Sequence, residues 1–151
     1  MSFGGSSFLA NAELEATDER FVRLLSEALA RVPGDVTPVQ SVRSVRFRRK
    51  GRVRGFVGLT TYSEGRPLRW RGLGSPVASA TQTITFYTDM LYRLSDEAVV
   101  AVIAHELAHA WLNEHVSPQE SEKREVEADE LAARWGFAME LEALDSQADS
   151  L

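Results

Sequence analysis

The sequence predicts an α+β domain, and three observations carry that prediction. Helical periodicity lies at both ends of the chain, a middle rich in Val, Thr and aromatic residues reads as strands, and 151 residues suit a single core. The expected layout is an N-terminal helix, a twisted and mostly antiparallel sheet, and then two helices. The single domain spans 1–151, with 1–12 and 145–151 as flexible ends.

The first helix is read from "TDERFVRLLSEALARV". Thr17 suits its N-cap, Asp18 and Glu19 its first turn, and Pro33-Gly34 its stop. Phe21, Leu24, Leu25, Ala28 and Val32 recur at helical spacing and form its core face. The segments "SVRSVRFRR", "RVRGFVGLTTY", "RPLRW" and "TQTITFYTD" then read as strands, and "RGLGSPVAS" as loop. A second helix runs from about Ser95 to Asn113, opened by Asp96 and Glu97. A third starts at the capping box Ser117-Pro118-Gln119-Glu120 and ends near Gly136, followed by a short further helical piece.

Composition narrows the function classes. With 44% hydrophobic and 26% charged residues the chain reads as an ordinary globular protein, and with no cysteine it has neither disulfides nor thiolate metal sites. No apolar run approaches the ~20 residues of a membrane helix. The N-terminus lacks the basic and apolar regions of a signal peptide, so the expected compartment is the cytoplasm. Charge is unevenly spread. Arg43 to Arg71 holds ten Lys/Arg against one acid, whereas Ser95 onward holds fourteen acids against three bases. The basic stretch offers a route to nucleic acid, but no aromatic platform for bases accompanies it, and solvated strand faces are the simpler reading.

The chemistry concentrates in "AVIAHELAHAWLNEH", which carries all three histidines. From Ala98 to Leu112 only His105, Glu106 and His109 are polar, so the helix is apolar on every side and must be buried all round. Three ionisable groups in such a helix need partners or a metal. His105 and His109 are spaced i, i+4 and share a face, while Glu106 can lean in from the side. His115 has the count of a metzincin third ligand. Leu112 stands where that pattern has its helix-breaking glycine, however, and a continuous helix would put His115 about 15 Å of rise beyond His105. The third helix offers an alternative. On a helical wheel Ala128, Asp129, Ala132 and Gly136 fall within about 60° of Glu125, a small-residue face suited to close helix packing. That reading makes Glu125 the third ligand and Asp129 the acceptor of a ligand histidine's far N–H. Glu122 is the nearest rival, and pairing of Glu125 and Asp129 with Arg46 or Arg54 is the purely structural alternative.

The pair "HELAH" and "EVEAD" resembles the gluzincin metallopeptidases, in the style of M48-like, minigluzincin and ImmA/IrrE-type proteins, over about Thr83 to Phe137. The resemblance implies a zincin-like fold and one Zn²⁺ per chain held by His105, His109 and Glu125. It also implies Glu106 as general base and peptide or protein as substrate. Its edge strand, which aligns substrate by β-augmentation, would be Thr83, Ile84, Thr85, Phe86 and Tyr87. Tyr62, Tyr87 and Tyr92 are candidates to stabilise the oxyanion by chemistry alone. The alternatives are a metal-binding zincin-fold regulatory module without general proteolysis, and a SprT-like nucleic-acid-associated protease using residues 43–71.

Overall fold

The computed structural model describes residues 8–16, 18–49, 58–63, 81–116 and 121–148, with backbone alone for 58–63, 121, 122 and 148. The first helix, α1, spans Glu19–Arg31. Its cap is Asp18 rather than the expected Thr17, which lies outside the described residues: the Asp18 carboxylate accepts the Arg20 N–H at 2.8 Å. Phe21, Leu24, Leu25 and Ala28 are buried along one face, as their spacing predicts.

The sheet departs from expectation in direction. Strands β1 (Glu13–Glu15), β2 (Val42–Arg48), β3 (Gly58–Ser63) and β4 (Thr81–Tyr87) lie in the order β1-β2-β4-β3. β1 pairs with β2 and β2 with β4 in parallel; only β3 runs antiparallel, against β4. The mostly antiparallel sheet is therefore corrected to a mixed one. Consecutive strands do not form a meander because β4 inserts between β2 and β3, and such a non-local pairing leaves no trace in local periodicity. β1 was not anticipated, being only three residues long. β2 lacks a clean two-residue alternation of buried and exposed positions, and its register shows why. Val42 pairs with Gln82 but Ser44 with Thr83, so Arg43 is an extra residue that breaks the two-residue period. Val42 and Val45 are consequently both buried although three positions apart. Downstream, Phe47 stacks on Phe86 and on Phe21 at centroid distances of 5.0 and 5.5 Å, joining sheet to α1.

A single helical turn, α2 (Thr88–Leu91), leads to the twenty-residue α3 (Asp96–His115), which contacts α1, β3 and β4 as well as the two later helices. Those are α4 (Ser121–Ala132) and α5 (Ala138–Ala148), joined by a wide turn at Ala133–Phe137 in which Gly136 has φ 103°. A side chain there would be strained, so the glycine allows the sharp change of direction. The predicted capping box, the "RGLGSPVAS" loop and the "RPLRW" strand lie outside the described residues. At the N-terminus, Phe8, Leu9 and Ala12 are buried in the core, and Leu9 bridges to Val39, so this part of 1–12 is not a loose end. The other end is likewise helical through 145–148. Among the described residues no helix is long and apolar enough to cross a membrane.

Polar contacts fix both ends of α3. Ser95 caps it, its Oγ accepting the Ala98 N–H, while Gln147 of α5 accepts the Ser95 N–H at 2.9 Å and donates to its Oγ at 2.8 Å. At the far end the fully buried Gln82 on β4 donates to the Ala110 carbonyl and to Ser41 Oγ, both at 2.9 Å, and accepts from Asn113. Glu114 accepts the backbone N–H groups of Gln40 and Ser41. The buried and half-buried links satisfy polar groups that would otherwise be costly to bury, and together the contacts orient the helix on the sheet.

Candidate metal centre

The α3 helix runs unbroken through its histidines, so the i, i+4 spacing sets His105 and His109 one turn apart. Their ring centroids are 4.6 Å apart and nearly perpendicular. Both present Nε2 to one carboxylate on α4: His105 Nε2 lies 3.1 Å from Glu125 Oε2, and His109 Nε2 lies 2.6 Å from Glu125 Oε1. The other nitrogen of His105 donates to Asp129 Oδ1 at 2.7 Å, one turn beyond Glu125. Ala128 and Ala132, fully buried beside and one turn beyond these carboxylate positions, let α4 approach α3 closely.

The electrostatics follow from this convergence. Burial alone would lower the His105 pKa; hydrogen bonds to Asp129 and Glu125 and the charge of Glu106 outweigh it and push it up to about 10. Glu125 is held down to about 2, first by its hydrogen bond with His105, which outweighs the upward push of its partial burial. Glu106 follows His105 directly and is only 6% exposed. A doubly protonated His105 thus ties the two α4 carboxylates together by charge-assisted bonds.

The donor set fits a divalent metal ion. One ligand atom from each of His105, His109 and Glu125 lies within 4.8 Å of the others. Bonds of ~2.1 Å in a tetrahedral site would separate ligand atoms by about 3.4 Å, so the donors are already gathered to within an ångström or so of the spacing an ion would require. With Nδ1 of His105 committed to Asp129, Nε2 is the nitrogen left to bind. Two imidazoles and one carboxylate suit zinc and related divalent ions and leave a fourth position open.

Other predicted residues fall elsewhere. His115 lies at the end of α3, where its Nε2 donates to the Pro38 carbonyl at 3.1 Å. Arg46 pairs with Glu15 at 3.4 Å rather than with the α4 carboxylates, as does Arg48; Arg54 lies outside the described residues. The Tyr92 hydroxyl donates to Asp18, the cap of α1; Tyr62 lies on β3 and Tyr87 at the end of β4, and the side chain of Glu122 is outside the described residues. The expected substrate-binding edge, Thr83 to Tyr87, is an interior strand: β4 is paired with β2 on one side and β3 on the other, so its backbone cannot accept a further strand. Sequence reasoning also passed over Gln82, which shares the parity of the buried Ile84 and Phe86. A glutamine on the core face of a strand was the available signal.

Residues 77–121 match the sequence model of Peptidase family M48. The matched stretch runs through β4, α2 and α3, includes His105, Glu106 and His109, and stops short of Glu125. It supports a metallopeptidase relationship over less than a third of the chain. No curated protein and no solved structure gives a match.

Proposed function

We propose that the protein is a zinc-dependent endopeptidase of the gluzincin type with a zincin-like fold. The observation that carries this reading is the convergence of both histidine Nε2 atoms on Glu125, with His105 steadied from behind by Asp129. The partial match to Peptidase family M48 supports it independently. His105, His109 and Glu125 hold one zinc ion per chain, and Asp129 fixes the orientation of the His105 ring. Zinc bound there would lower the pKa of a water toward neutrality and polarise the scissile carbonyl.

Glu106 is the general base. It takes the proton of the attacking water and returns it to the leaving amine. Its carboxylate is near enough to His105 to raise that imidazole's pKa, and its burial shields it from solvent. Substrate pairing moves from β4 to β3, the outermost strand on that side of the sheet among the described residues; a peptide strand would add along its outer edge.

The deciding comparison is wild type against Glu106→Gln on a mixture of denatured proteins and peptide libraries, with bound zinc measured in parallel. The variant is expected to keep zinc and lose roughly 10²- to 10⁴-fold in turnover. Undiminished cleavage by the variant excludes Glu106 as the base. A wild type that binds zinc yet cleaves nothing points to a binding module instead.

A further inference from the structure

Glu125 and Asp129 reach the site from a helix of twelve residues, α4, which ends in the sharp turn at Gly136. That turn is gripped from α1. Arg31, the last residue of α1, donates Nη2 to the Gly136 carbonyl at 2.8 Å and makes a two-point contact with Glu140, at 2.9 and 3.1 Å, on the first turn of α5. Its guanidinium also lies over the Phe137 ring, 4.4 Å from the centroid. One side chain therefore holds the carbonyl of the left-handed glycine, the carboxylate just after it and the ring between them.

We propose that Arg31 is a positioning residue for the metal centre, setting the direction in which α4 meets the turn and hence where Glu125 and Asp129 fall. The proposal rests on reading His105, His109 and Glu125 as metal ligands. Buried Trp135 and Phe137 anchor the turn in the core, but apolar contact is non-directional. The planar guanidinium is directional, since its donors fit carbonyl and carboxylate in one geometry only. Leverage makes the direction matter. Glu125 precedes Gly136 by eleven residues, about 16 Å along a helix, so a swing of ~10° displaces its carboxylate by about 3 Å. Metal–ligand distances tolerate only about 0.2 Å. The histidines have no such exposure to error, because both sit one turn apart within a single helix whose residues are mostly buried in the core.

The test is zinc affinity, measured by chelator competition on metal-free protein, for wild type, Arg31→Met, Glu140→Gln, the double variant and Arg20→Met. Arg20 makes a comparable clasp from α1, to Asp96 and the Leu94 carbonyl, but grips the start of α3 and leaves α4 alone. Arg31→Met and Glu140→Gln should each weaken zinc binding about tenfold, the double variant no more than the worse single, and Arg20→Met should bind as wild type does. Unchanged affinity in both Arg31→Met and Glu140→Gln overturns the proposal. So does equal weakening in Arg20→Met, which would mean that general loss of stability is enough. A wild type that binds no zinc overturns the metal reading itself, and this inference with it.

Discussion

The two helices that meet at the site hold their side chains in opposite ways. On α3 thirteen of twenty residues are buried, and His109 and Glu106 are among them, so the histidines are placed by the same packing that makes the core. On α4 the side chains of Glu125 and Asp129 remain 62% and 60% exposed, and among its described residues only Arg124, Ala128, Leu131 and Ala132 are buried. The imidazoles cannot move without disturbing the fold, whereas the carboxylates can. A site assembled this way has one rigid half and one adjustable half, and the two should fail differently when broken.

The largest expected effect separates them directly. Glu125→Ala should lose zinc by at least about a hundredfold and destabilise the metal-free protein less than His109→Ala does, because it removes the hydrogen bonds to both histidines but no buried side chain. His109→Ala should lose zinc as well, but should also destabilise the metal-free protein by about 1–3 kcal/mol, since it removes a buried, hydrogen-bonded group. Metal stoichiometry and metal-free thermal melts on both variants check this. An Glu125→Ala protein that retains its ion would break the comparison, because α4 would then supply no ligand.

A smaller effect is graded with pH. His105 stands at about 10 in the metal-free protein, above its ordinary 6.5, so its interactions with Asp129 and Glu125 favour the fold fully below about pH 6.5. That contribution fades as pH rises through about 10. Glu125, lowered to about 2, contributes above its ordinary 4.5 and loses its contribution as pH falls through about 2. Between these limits zinc must displace the proton on His105 Nε2. Apparent zinc affinity should therefore rise about tenfold per pH unit from pH 6.5 upward, with about one proton released per ion bound. Calorimetry in buffers of different ionisation enthalpy counts that proton. Zinc binding without proton release near pH 7 would mean that the carboxylates do not hold His105 charged.

The same contrast explains what could be read in advance. His105, Glu106 and His109 stand out because the residues around them in α3 are apolar on all sides, a pattern that only burial explains. Glu125 and Asp129 were legible through their small neighbours, which define a face without any partner being known. The sheet was legible as strands and illegible as a topology. Nothing local to β2 says that β4 will lie beside it in parallel, and the extra Arg43 erases the alternation that would have marked its core face. The assignment of Thr83 to Tyr87 as an edge failed for the same reason, since an edge is a property of neighbours. The Arg31 clasp joins residues 105 and 109 positions apart, and no sequence spacing foretells that contact.

The smallest expected effect tests the rigid half at its far end. His115 completes a three-histidine spacing, yet the helix carries it away: ten residues beyond His105 is about 15 Å of rise, too far to share an ion. The structure also gives it other work, since its Nε2 donates to the Pro38 carbonyl beside the Glu114 contacts that tie α3 to the start of β2. That bond lies in an exposed setting, so His115→Ala should cost no more than about 1 kcal/mol and leave zinc affinity unchanged. Loss of zinc in this variant would require α3 to break near Leu112 so that His115 could swing back. Leu112 is buried and its carbonyl accepts the Val116 N–H at 2.8 Å, closing the last turn at the point where such a break would have to form.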